Sequence, residues 1–138
     1  MDWRKFTGRV FRGDAISMND RIKLGKDGED RAVKILKKNG YRILERNFHT
    51  GLGEIDIIAK DDNVLVFIEV KTRSNLSFGL PQLSVDTRKQ NRLIKLALLY
   101  IKQRNIKTGD IRFDVLALTP TTCELIKNAF SSTDRYTL

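Results

Sequence analysis

At 138 residues, 41% of them hydrophobic, the chain has enough apolar material for one domain with a real core, which excludes wholesale disorder. A single cysteine, Cys123, excludes an internal disulfide and a cysteine-rich zinc centre, and the lack of an apolar run near ~20 residues excludes a membrane helix. The net charge of +9 is unevenly placed: residues 86–107 hold seven basic and one acidic side chain, residues 1–26 seven and three, and residues 27–85 nine of each. Clustered cations suit a polyanion such as a phosphate backbone, the other reading being a solvated lysine-rich helix face, and the charge alone makes nucleic acid the favoured partner.

The opening Met-Asp-Trp-Arg-Lys-Phe has no apolar core of a secretory signal, so a cytoplasmic location is expected. Residues 1–19 scatter Trp3, Phe6, Val10, Phe11 and Ile16 without a clean period and read as an extension of uncertain order. A helix is predicted from about Asp20, its cap, to Asn39, with Gly40 ending it. Ile22, Gly25, Ala32, Val33 and Leu36 share one face, and Glu29 lies on that same apolar stripe. Three strands follow, at Tyr41 to Phe48, Glu54 to Lys60 and Val64 to Lys71. The third is the most apolar and is expected at the centre of the sheet. Residues 72–84 read as a surface loop. A long helix from about Val85 to Asn105 buries Leu93, Leu96, Ala97 and Tyr100 and covers much of its remaining face with lysine and arginine. Ile111 to Leu118 is a fourth strand, and Thr122 to Lys127 a short edge strand. The boundaries are an extension over 1–19, a domain over 20–127 and a tail over 128–138. Helix, three strands, helix, strand predicts an α/β domain with a mixed sheet flanked by helices on both faces.

The chemistry lies in the second and third strands. Alternation places Leu65, Phe67, Glu69 and Lys71 on one face of the third strand, and Glu54, Asp56 and Ile58 on one face of the second. If Asp62-Asn63 is a two-residue turn, Asp61 pairs with Val64, Asp56 falls opposite Glu69 and Glu54 opposite Lys71. A slip of one residue would separate the two acids across the sheet. Two carboxylates held together repel, and a cation relieves this while leaving both ionised. Oxygen ligands without histidine or thiolate point to Mg²⁺ or Mn²⁺. Such a cation suits phosphodiester hydrolysis. Glu29 offers a third carboxylate, and Lys71 reaches the same place, where the acids are expected to keep it protonated and in an electrostatic role. The competing reading is a structural Glu54–Lys71 ion pair with Asp56 and Glu69 at the exposed end of the hairpin.

These residues resemble the PD-(D/E)XK nuclease superfamily. Within it, Gly28-Glu29, Glu54-Ile55-Asp56-Ile57-Ile58-Ala59 and Val66-Phe67-Ile68-Glu69-Val70-Lys71-Thr72-Arg73 are similar to the YraN-like family, whose core resembles archaeal Holliday-junction resolvases. The resemblance covers about residues 25–119 and implies a restriction-endonuclease-like core. It implies Asp56 and Glu69 as metal ligands, Lys71 as the catalytic lysine and Glu29 as the helix glutamate of the resolvase-like branch. Ile55 stands where the superfamily pattern has proline. It also implies a homodimer, because two symmetric cuts need two sites.

Lys89 and Gln90 begin the second helix, and either can point at the site. Arg73, Arg88 and Arg92 are candidate phosphate contacts, which position nucleic acid without reading its sequence. Phe78-Gly79 reads as a core anchor or as a lid beside the site. His49, in a turn, reads as a surface residue and Asp114 as a structural one. The expected function is a divalent-metal-dependent nuclease acting on DNA, including branched or single-stranded forms. The alternatives are a non-catalytic nucleic-acid-binding module and a protein whose basic surface meets an acidic partner.

Overall fold

A computed structural model describes residues 9–12, 24–74, 85–107 and 109–131. The elements are β1 (Arg9–Arg12), α1 (Leu24–Lys38), β2 (Tyr41–Thr50), β3 (Gly53–Asp61), β4 (Val64–Thr72), α2 (Thr87–Gln103), β5 (Ile111–Leu118) and β6 (Thr122–Phe130). They form a mixed α/β domain around one six-stranded sheet of order β1-β6-β5-β4-β3-β2. Among the described residues only the β4–β5 pairing is parallel. That pairing is the one that needs a crossover, and α2 supplies it.

Most element positions follow from local chemistry. Gly40 closes α1 with φ +88, a left-handed conformation that glycine adopts without Cβ strain, and its N–H reaches Lys37 O. Asp86 caps α2, its side chain accepting the Lys89 N–H at 2.8 Å. The β3–β4 hairpin turns at Asp62-Asn63, with Asp62 at φ 52, which aspartate tolerates. The expected register holds for five pairs, from Asp61↔Val64 to Ile57↔Ile68.

The centre of the sheet is dry. Leu65, Val66, Phe67 and Ile68 of β4 are each at most 2% exposed, and burying such side chains contributes roughly 1.5–3 kcal/mol apiece. Alternation divides them. Leu65 and Phe67 pack with Leu93, Ile94, Leu96, Ala97 and Tyr100 of α2. Val66 and Ile68 pack with Ala32 and Leu36 of α1. The two helices therefore cover opposite faces. Arg31 ties α1 to the β5–β6 turn by donating to the carbonyls of Thr119 and Thr122.

Two expectations change. The first helix is described over Leu24–Lys38, and its expected cap, Asp20, lies outside the described residues. Strand β6 is nine residues long, paired with β5 as far as Phe113↔Phe130, and it is not the edge, because β1 pairs along its outer side from Arg9↔Leu125 to Arg12↔Thr122. The segment read as an extension thus contributes a strand to the sheet edge. Cys123 is buried, as expected for a small apolar residue.

Asp114, read as structural, is the hub of a buried polar cluster. It accepts from Tyr41 Oη (2.7 Å), Arg112 Nε (2.9 Å) and the Asn128 N–H (2.9 Å). Asp61 joins through Arg112 and Lys127. Two acids and two bases balance, so each buried charge has a partner. Asp114→Ala strands three donors, and urea denaturation should show a loss of about 3–5 kcal/mol; a loss under ~1 kcal/mol would mean that the cluster is not structural.

Candidate functional site

Beyond Ile57↔Ile68 the β3–β4 ladder gives way to a side-chain contact: Asp56 Oδ2 accepts the Val70 N–H at 2.8 Å. Alternation also breaks here. Ile55 and Ile58 both pack on the α2 side, whereas Ile57 packs on the α1 side. Asp56 consequently borders two hollows. One, of about 200 Å³, is lined by Glu29, Asn47, Glu54, Asp56, Val70 and Thr72. The other, of about 250 Å³, is lined by Glu54, Asp56, Glu69, Lys89, Arg92 and Leu93.

The first hollow is acidic. One carboxylate oxygen from each of Glu29, Glu54 and Asp56 lies within 4.8 Å of the others. Glu29 Oε1 is buried and has no hydrogen-bond donor. A buried carboxylate oxygen without a donor is costly unless a cation meets it. Burial first, then Glu69, pushes the Asp56 carboxyl up to about 7, with Glu54 and Glu29 adding to the rise and the Val70 N–H opposing it. Helix α1 comes this close because residue 28 is glycine: a Cβ there would stand 2.7 Å from Thr72 Cγ2.

The second hollow mixes signs. Glu69, only 6% exposed, takes Lys89 Nζ at 2.6 Å and Lys71 Nζ at 3.5 Å. Asp86 fixes the backbone of Lys89, and that aims its side chain at Glu69. Burial opposes the charge of both lysines. For Lys89 the contact with Glu69 outweighs it, and the pKa is raised. For Lys71 burial and the adjacent Lys89 win over Glu69, and the pKa is lowered. The neighbouring carboxylates are expected to favour the protonated form of Lys71; burial first, then the second lysine, reverse the direction of the shift. The stem of Arg92 lies over Gly53, where a Cβ would be 2.9 Å from Arg92 Cδ. Gly53 has φ +139, so both its backbone and its missing side chain are used.

Asp56, Glu29, Glu69, Lys71, Lys89 and Arg92 are therefore brought together. The grouping differs from the expected one, because the carboxylates within ligand distance are Glu29, Glu54 and Asp56, while Glu69 is engaged by lysines. The expected register sets Glu54 opposite Lys71, with an ion pair between them only as the competing reading, and Glu54 is not among the expected site residues. Its signal was available, since Glu54 stands two residues before Asp56 on one face. Among the described residues Lys71 pairs with Glu69, not Glu54. Arg88 is exposed, and neither it nor Arg73 borders either hollow. Gln90 turns back to donate to Val85 O at 2.7 Å. His49 is exposed, with Nδ1 3.1 Å from Asn47 O. Phe78-Gly79 lies outside the described residues.

The family profile described as "Uncharacterised protein family UPF0102" matches residues 28–118, the stretch from the close-packed Gly28 to the end of β5. The chain belongs to this family. UPF0102 is the YraN-like family to which the Glu-Ile-Asp and Glu-Val-Lys segments pointed. A UPF0102 protein of Thermodesulfovibrio yellowstonii is 54% identical over 110 residues, which is 80% of this chain and 97% of that one. A UPF0102 protein of Persephonella marina is 45% identical over 106 residues, covering 77% and 91%. Another, of Syntrophus aciditrophicus, is 46% identical over 117 residues, covering 82% and 92%. All of the site residues named above fall within the matched UPF0102 stretch. Among the described residues no helix is long and apolar enough to cross a membrane.

The raised Asp56 pKa has a defined consequence for stability. Between the unfolded value near 3.8 and the folded value of about 7, the folded chain binds the proton more tightly. Stability from this group is therefore present at low pH and falls as pH rises through that window. Asp56→Asn removes the penalty and keeps an acceptor for the Val70 N–H. Its melting temperature should exceed wild type by several degrees at pH 8, and the gap should close toward pH 4. A gap that does not depend on pH would dissociate Asp56 from this titration.

Proposed function

We propose that this chain is a divalent-metal-dependent nuclease that hydrolyses phosphodiester bonds in DNA, on a restriction-endonuclease-like member of the PD-(D/E)XK superfamily. The observation that carries the reading is the donorless, buried Glu29 Oε1 in a cluster with Glu54 and Asp56, set beside a lysine pair and an arginine. The donor set fits a hard cation, since it offers carboxylate oxygens and no thiolate or imidazole. Glu29, Glu54 and Asp56 would hold Mg²⁺ or Mn²⁺. When bound, such an ion neutralises the clustered carboxylates and polarises a phosphate oxygen.

The chain's own residues supply the rest. Hydrolysis adds water across one P–O bond, so a proton must leave the water and negative charge builds on the phosphate. Lys71, 3.5 Å from Glu69, would orient the attacking water and offset the developing charge, and the water's proton passes to the leaving oxygen. Lys89 and Arg92 border the same hollow and can offset charge on the phosphate oxygens. Asp56 is bound to the β4 backbone, so one of the two carboxylates that border both hollows is fixed in place.

One observation favours a second reading, a nucleic-acid-binding module without turnover. Glu69, the expected ligand of the superfamily pattern, is occupied by two lysines rather than grouped with the other acids. Titration of Mn²⁺ with branched, single-stranded and duplex DNA separates the two. The nuclease reading expects metal-dependent cleavage of at least one substrate and a loss of at least ~100-fold in Asp56→Ala and Lys71→Ala. DNA binding with no cleavage of any substrate establishes the module, and equal cleavage by Asp56→Ala removes Asp56 from the mechanism.

Metal binding is tested without turnover. Calorimetric titration should show Mn²⁺ affinity falling roughly 10–100-fold in Glu29→Gln and in Glu54→Gln, while Lys71→Ala binds at least as well as wild type. Unchanged affinity in Glu54→Gln would return the ligand set to Asp56 and Glu69.

A further inference from the structure

Helix α2 carries more charge than its contacts use. Residues 86–107 hold seven basic side chains and one acid, and that acid, Asp86, is the cap. Lys89 is taken by Glu69 and Arg104 by Glu45. Arg88, Arg92, Lys95 and Lys102 are all exposed, and among the described residues none of them stands in an ion pair. At 100° per residue the four fall within an arc of about 80°, on the side away from Leu93, Ile94, Leu96, Ala97 and Tyr100.

Like charges three and four residues apart repel on a helix, by a few tenths of a kcal/mol per pair. A solvated face ordinarily intersperses acids, and this one has none. The stripe is also continuous with the site. Arg92 lines the hollow beside Glu69 and Asp56, and its stem rests on Gly53. From Arg92 to Lys102 the helix rises about 15 Å.

We infer that the outer face of α2 is a track for a phosphodiester backbone, along which one strand of nucleic acid leaves the hollow at Arg92 and passes Lys95 and Lys102. The track deepens the nuclease reading by giving the substrate's path, but it needs only binding. The one aromatic residue of α2, Tyr100, is buried, so the track offers no stacking platform. It grips phosphates without distinguishing bases.

The test uses the full chain and the double variant Lys95→Gln/Lys102→Gln, whose substitutions lie outside both hollows. Binding of a fluorescent 20-nucleotide single strand is measured by anisotropy in EDTA across a salt series, with a duplex of the same length in parallel. The double variant should bind about tenfold more weakly at low salt. The slope of log affinity against log salt should be shallower by about 1.4 for the single strand, two phosphate contacts at roughly 0.7 each. A thermal melt matching wild type shows that the fold is intact. The same reduction on the duplex also supports the track and identifies the duplex as a source of the phosphates. An unchanged slope on both probes overturns it. The two readings fail separately. Cleavage in Mn²⁺ with an unchanged slope removes the track and leaves the nuclease. A shallower slope with no cleavage removes the nuclease and leaves the track.

Discussion

The contact between the Asp56 carboxylate and the Val70 N–H is the constraint on which the site depends. It replaces a rung of the β3–β4 ladder with a side-chain bond. An acid is thereby placed at the seam between two hollows rather than flat on one face of the sheet. A charged acceptor satisfies a backbone donor well, which offsets part of what burial costs the carboxylate. The remainder shows as a raised pKa, driven by burial and by neighbouring acids.

Around that residue the two helices divide the electrostatics. Helix α1 approaches through Gly28 and delivers a glutamate to the acidic side. Helix α2 is capped by Asp86 and delivers Lys89 and Arg92 to the other side. Each helix is held by its apolar face, on opposite sides of the sheet. Core packing therefore sets how far apart the clustered carboxylates and the basic side chains stand. At the far end of the hairpin, the Tyr41–Arg112–Asp114 cluster grips Asp61 beside the turn. That clamp holds the register which brings Asp56 near Glu69.

Glu69 shows how burial changes a residue's role. On an exposed strand it would be one more acid. Here it is nearly enclosed, and two lysines converge on it. The nearby lysines then compete for charge: Lys89 keeps its proton more firmly and Lys71 less so. A pair of identical side chains thus acquires different proton affinities from position alone.

Much of this was legible in the chain itself. Alternating apolar residues, Gly40, the Asp62-Asn63 turn and the apolar run of Val64 to Lys71 determined both helices, the strands from β2 to β5 and the hairpin register as far as Ile57↔Ile68, because these signals act over a few residues. The family match spans those same segments. What alternation could not reach was decided by tertiary structure. The grouping of Glu54 with Glu29, the capture of Glu69 by Lys89, the opposed shifts of the two lysines and the pairing of β1 with β6 all join groups far apart in sequence. Their outcome depends on distance and on exclusion of water, and both exist only once the helices have packed.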